Sequence, residues 1–84
     1  MYHTTKEFWK LYYQLPEQIQ DIADKNFQLL KSDRRHPSLQ FKKVGGLYLV
    51  RIGLNYRALA LEKDALMYWF WIGSHDEYMR ILTT

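Results

Sequence analysis

Apolar residues recur at Phe8, Leu11, Tyr12 and Leu15, the spacing of one face of an α-helix. Thr4-Thr5-Lys6-Glu7 precedes them and reads as a capping box. Pro16 closes this helix and suits the first turn of the next. The second helix carries the stripe Ile19, Ile22, Ala23, Phe27 and Leu30, with Asp21 and Lys25 as a surface pair. It stops near Ser32-Asp33, ahead of His36-Pro37. After Pro37 the period shortens. Leu39 to Val44 alternates loosely and predicts a strand, Gly45-Gly46 a hairpin turn, and Leu47 to Ile52 a second strand. Gly53-Leu54-Asn55 is a short loop, Tyr56 to Leu61 a third strand, and Lys63-Asp64 a turn. Ala65 to Ile72 is apolar on both faces, so it belongs inside the sheet rather than at its edge. Gly73 breaks that strand. Ser74 opens a short C-terminal helix with a second capping box, Ser74-x-x-Glu77. Tyr2-His3 is a further candidate for a short edge strand.

These elements predict an α+β fold: an N-terminal helical hairpin packed on a four-stranded antiparallel sheet, closed by a short C-terminal helix. The hairpin must cover one sheet face, because nothing else can bury its stripe. The 84 residues make one domain, 1–84. A chain this short buries only about 60% of its unfolded surface, so its core must be efficient. Seven Tyr, four Phe and three Trp supply large buried area per residue.

The sequence has no cysteine, which excludes a disulfide framework and a thiolate metal site. Its three histidines lack zinc-site spacing, and neither metal nor cofactor is expected. The first residues contain no apolar segment of the signal-peptide kind. The longest apolar run, Ala65 to Gly73, is far short of a membrane span. The expectation is a cytoplasmic protein without membrane association.

Charge changes the picture. The 28 residues from Arg34 to Leu61 contain Arg34, Arg35, Lys42, Lys43, Arg51 and Arg57 and no acid. All nine acidic residues lie outside that segment, so a formal net charge of +3 conceals a basic middle between acidic ends. A folded surface of one sign collects anions, and nucleic acid is the obvious polyanion.

Arg51 and Arg57 flank a three-residue loop, so an antiparallel pair brings them within reach of one ligand. The planar fork of arginine matches phosphate. The competing reading has each guanidinium in a structural ion pair with Glu62, Asp76 or Glu77. His75 falls at the first position of the last helix, where the helix dipole favours the uncharged ring a general base needs. A solvated loop histidine is the plainer alternative. Ser74 and Glu77 are explained as caps, and Asp76 as a first-turn acid complementing the dipole. Tyr78 either stacks on a base, supplies a phenolic proton, or simply packs on the sheet. Arg34, Arg35, Lys42 and Lys43 are candidate contacts to a nucleic-acid backbone, or ordinary solvated charge. The run Tyr68-Trp69-Phe70-Trp71 reads as core, and His3 has no supporting context.

The order of parts resembles the RelE/ParE superfamily, toxins of bacterial type II toxin–antitoxin systems. The likeness is carried by Arg34-Arg35-His36-Pro37-Ser38-Leu39 leading into Lys42-Lys43-Val44, by Val50-Arg51-Ile52-Gly53-Leu54-Asn55-Tyr56-Arg57-Ala58-Leu59, and by Trp71-Ile72-Gly73-Ser74-His75-Asp76-Glu77-Tyr78. It implies a toxin neutralised by a tightly bound antitoxin. In the RelE branch the toxin enters the ribosome and cleaves mRNA without a metal, the 2′-OH attacking the adjacent phosphate. In the ParE branch the same fold inhibits DNA gyrase and cleaves nothing. A third alternative is a non-toxic member acting only as a binding module. Carried over by position, Arg57 matches a phosphate-stabilising arginine, Arg51 a basic residue on the preceding strand, His75 a position held by histidine or another base, and Tyr78 a C-terminal tyrosine. The expected partners are the cognate antitoxin and mRNA on the ribosome.

Overall fold

The computed structural model describes residues 2–83; positions 1 and 84 of the expected domain lie outside them. The chain runs β1 (Tyr2–Thr4), α1 (Lys6–Tyr12), α2 (Glu17–Ser32), a 3-10 turn (Pro37–Leu39), β2 (Lys42–Val44), β3 (Leu47–Ile52), β4 (Tyr56–Lys63), β5 (Leu66–Ser74) and α3 (His75–Thr83). The α+β architecture is as expected, with one addition. The sheet has five strands in the order β1-β5-β4-β3-β2. The candidate strand at Tyr2-His3 is real and pairs with β5 in parallel, while the other four strands pair antiparallel. It is what makes the doubly apolar β5 interior: β5 needs a partner on each edge, and β1 supplies the second.

Several predicted boundaries move for identifiable reasons. The N-cap of α1 is Thr5, whose Oγ1 accepts from the Phe8 amide at 3.1 Å. Thr4 instead accepts the Trp9 indole N–H at 2.8 Å, so no capping box forms with Glu7. Helix α1 ends at Tyr12 rather than Leu15, and Pro16 sits as the N-cap of α2. The expected strand from Leu39 starts only at Lys42, because Pro37-Ser38-Leu39 wind into a 3-10 turn and Gln40 follows in left-handed backbone at φ 45°. The β4–β5 turn is Asp64-Ala65 rather than Lys63-Asp64, with φ of 53° and 67°. Two consecutive positive φ values make a turn whose twist matches the flanking strands.

Phe8, Tyr12, Ala23 and Leu30 of the helical pair pack on Val50, Ile52, Ala58, Ala60, Met67, Trp69 and Ile72 of one sheet face. Phe27 meets both Phe8 and Trp69 edge-on, with ring centroids 5.6 Å and 5.4 Å apart. On the opposite face, Leu49 and Leu59 are buried with Tyr78 of α3. A register shift in β5 divides the tryptophans between the two faces. Leu59 pairs with Trp71 and Ala60 with Trp69, which leaves Phe70 as the extra residue of a β-bulge. In a regular strand Trp69 and Trp71 would share a face.

Ala65 has a Cβ in a backbone region that costs L-residues roughly 1–2 kcal/mol. Ala65→Gly should therefore stabilise the fold by about 0.5–1 kcal/mol, net of the entropy glycine adds to the unfolded chain. Urea unfolding of the two proteins checks this. An unchanged or lower midpoint would show that the turn is not strained.

Candidate functional site

Arg51 on β3 and Arg57 on β4 are register partners in the antiparallel ladder, and Arg57 in turn pairs with Gly73 of β5. The loop between the two arginines folds back on them. The Arg51 Nε donates to the Gly53 carbonyl at 2.9 Å, and one Arg57 terminal nitrogen donates to the carbonyls of Leu54 at 3.2 Å and Tyr56 at 2.7 Å. These acceptors are neutral peptide oxygens. Among the described residues, no carboxylate oxygen lies within 4.0 Å of either guanidinium. The ion-pair alternative is therefore not the arrangement adopted. Burial, followed by the positive charge of Arg51, lowers the Arg57 pKa from its ordinary value, while Tyr78 opposes the shift. Guanidinium stays protonated at any useful pH. The direction of the shift thus reports two like charges held together in partial burial, a pair an anion would relieve.

Helix α3 brings in the remaining groups. Ser74 and Glu77 close the expected capping box. The Glu77 amide donates to Ser74 Oγ at 3.2 Å, and the Ser74 amide and hydroxyl donate to Glu77 Oε1 at 3.3 and 3.1 Å. The His75 amide donates to the Asn55 carbonyl at 2.7 Å, pinning the start of α3 to the loop that also holds the arginines. The His75 and Tyr78 rings lie 6.1 Å apart. A cleft of about 250 Å³ results, lined by Arg51, Arg57, His75 and Tyr78 together with Lys42 and Gln40. Leu49, Met79 and Leu82 form its apolar wall. Met79 and Leu82 are exposed, so the cleft opens beside an uncovered apolar strip.

The wider basic set divides. Lys42 reaches the cleft. Lys43 is next in the strand and points to the other face, where its ammonium sits 5.7 Å from the centre of the Tyr48 ring. Arg34 lies over Phe41 at 5.7 Å. The backbone amide of Arg35 donates to the Asp33 carboxylate at 3.2 Å, and Arg35 itself is exposed. Neither Arg34 nor Arg35 lines the cleft.

Two residues at the site went unpredicted. Gln40 falls within the strand expected from Leu39 to Val44, and its left-handed backbone brings it to the cleft instead. Asn26 donates from Nδ2 to the Arg51 carbonyl at 2.8 Å, tying α2 to the strand that carries the arginine. A signal for Asn26 existed: it interrupts the apolar stripe between Ile22, Ala23 and Phe27.

No family model matches the sequence, and no curated protein matches it significantly. Solved structures do match. The chain has a RelE-like fold. A structure of the RelB–RelE antitoxin–toxin complex from Methanococcus jannaschii matches with a TM-score of 0.74 at 16% identity, covering 94% of this chain and 96% of that one. YafQ from E. coli strain BL21(DE3) matches at 0.72 with 9% identity over 93% and 96% of the chains. The archaeal RelE–RelB complex from Pyrococcus horikoshii OT3 matches at 0.61 with 20% identity over 87% and 91%. At such identities the likeness is one of fold. No helix among the described residues is long and apolar enough to cross a membrane.

Gly73 has a specific steric role beside the site. A Cβ there would lie 2.6 Å from the Trp71 ring. Gly73→Ala should force the indole off the sheet and cost about 1–3 kcal/mol, the usual penalty of overpacking. Chemical unfolding measures the loss, and a red shift of tryptophan emission reports the displaced ring. An unperturbed variant would mean that the indole moves aside freely.

Proposed function

We propose that this chain is the toxin of a type II toxin–antitoxin pair and acts as a ribosome-dependent, metal-independent mRNA endoribonuclease. What supports the reading above all is the pair of register-matched guanidiniums, unneutralised by carboxylates, on a cleft that also receives His75 and Tyr78. The RelE-like fold agrees with it, as do structures of that fold solved as complexes with RelB antitoxins. Comparable pairing of this chain with an acidic antitoxin is part of the proposal.

In the proposed reaction the scissile phosphate lies against Arg51 and Arg57. His75 removes the proton of the 2′-OH, whose oxygen then bonds to the adjacent phosphorus. The extra negative charge on the phosphorane falls on oxygens already facing two fixed cations. Preorganised donors of this kind supply much of the barrier reduction in such reactions. The bond to the 5′-oxygen breaks, and the Tyr78 hydroxyl supplies the proton that the leaving oxygen takes up. The products are a 2′,3′-cyclic phosphate and a 5′-hydroxyl. Lys42 at the cleft, with Arg34, Arg35 and Lys43 outside it, contacts ribosomal or messenger RNA backbone.

Induction of the protein alone in bacteria, with transcript ends mapped and DNA supercoiling assayed, tests this reading. Cleaved messages with unchanged supercoiling are expected. Intact messages with damaged supercoiling would point to gyrase, and harmless expression to a binding module. Arg57→Ala should reduce cleavage by about 10²–10³-fold, and His75→Ala by about 10²–10⁴-fold, without unfolding. A folded His75→Ala protein that cleaves at full rate removes histidine from the mechanism.

A further inference from the structure

Arg51, Arg57 and Gly73 form one row across β3, β4 and β5. On the other side of β3, Lys42 pairs with Leu49. Two positions before Lys42 stands Gln40, the residue that would face Arg51 if that ladder continued. It does not continue. Gln40 takes left-handed backbone at φ 45° and ψ 44° directly after the 3-10 turn, and it lines the arginine cleft. The turn that carries it is well fixed. Leu39 is fully buried, the Ser38 amide donates to His36 Nδ1 at 3.2 Å, and the Gln40 amide donates to the Pro37 carbonyl at 3.3 Å. A residue with a Cβ is disfavoured in this backbone region, which glycine and asparagine visit more readily. Such a conformation persists where the surroundings over-determine it, and functional sites collect such residues.

The side chain of Gln40 is exposed, and its carboxamide has no hydrogen-bond partner among the described residues. It also differs in kind from its neighbours. Lys42, Arg51 and Arg57 carry donors only, which suits phosphate oxygens. A carboxamide sets an acceptor and a donor side by side in one plane. That pattern matches the N6 amino group and N7 of adenine. Guanine shows two acceptors on the same edge, which would leave the carboxamide oxygen facing another acceptor. Leu49, Met79 and Leu82 supply an apolar wall for the face of a ring, and the last two are exposed to receive it.

We infer that Gln40 is a specificity-determining residue that selects adenine at the nucleotide next to the scissile phosphate. This rests on the proposed nuclease reading. The phosphate occupies the arginine pair, and the neighbouring base lies against the apolar wall with its edge toward Gln40. The adenine amino group donates to Gln40 Oε1, and N7 accepts from Nε2. The fixed turn holds the carboxamide at the end of the cationic row, so base and phosphate are read from one rigid edge of the cleft.

The test uses the full chain on bacterial ribosomes programmed with messages that differ only in the base beside the cleaved bond. Cleavage next to adenine should exceed cleavage next to guanine by about tenfold or more, and in Gln40→Ala that ratio should fall to about twofold or less. Replacing the adenine by 7-deazaadenine, which lacks the N7 acceptor, should slow the parent about tenfold and Gln40→Ala about twofold or less. Gln40→Gly removes the backbone strain along with the carboxamide. It should raise the urea midpoint and still lose the base ratio, whereas a purely structural role for Gln40 would leave the ratio as it is. A base ratio equal in the parent and both variants overturns this inference while the nuclease reading stands, as does a parent that prefers guanine, cytosine or uracil. A parent that cleaves no message overturns both.

Discussion

The extra residue in β5 sets the phase of the whole molecule. With Phe70 bulged, Trp69 turns into the helix-covered core and Trp71 to the opposite face. The same shift carries Gly73 into line with Arg57, in a row that starts at Arg51. Without the bulge, every β5 side chain on one side of Phe70 would reverse its face. Either both indoles would crowd one layer, or the strand would present Ile72 rather than Gly73 beside the arginines. The core under the helices and the glycine in register with the cationic pair are thus consequences of one inserted residue.

A ladder that sets two arginines opposite each other works against its own stability, since like charges directly across a sheet repel. The fold tolerates the pair because its surroundings are otherwise strongly determined. Leu49 and Leu59, two pairs along in the same ladder and on the same face, are buried. The Gly53–Asn55 loop turns its carbonyls onto both guanidiniums and onto the start of α3. Asn26 fixes the Arg51 carbonyl from the helical layer. The cations are thereby held in place in the unliganded protein, and a phosphate bound as proposed would not have to order them.

The element order and the meeting of Arg51 with Arg57 were legible in the sequence, because both follow from short-range spacing: a three-residue loop between two strands leaves little freedom of register. The Ser74–Glu77 cap was legible for the same reason. What was not legible depends on contacts distant in sequence. The parallel pairing of β1 with β5 needs the whole chain to be placed first, and three residues carry no periodicity to announce it. The bulge leaves no mark in an unbroken apolar run. Gln40 was misread because the 3-10 turn before it looks, as composition, like the start of a strand. Lys42 and Lys43 read as one basic patch although a strand sends adjacent residues to opposite faces.

The electropositive character of the cleft also depends on where the fold sends its acids. Asp76 and Glu77 are within two positions of His75, and either would neutralise an arginine if its side chain turned inward. Glu77 is instead engaged by the backbone and hydroxyl of Ser74, which keeps its carboxylate at the helix end. Asp24 is held by Tyr12 in the helical layer behind the sheet. The capping box therefore has two effects. It starts α3, delivering His75 and Tyr78 to the cleft, and it keeps the carboxylate two residues from His75 occupied away from the guanidiniums. A fold that delivers a histidine and holds back the acid two residues on in one local motif couples the geometry of this site to its charge.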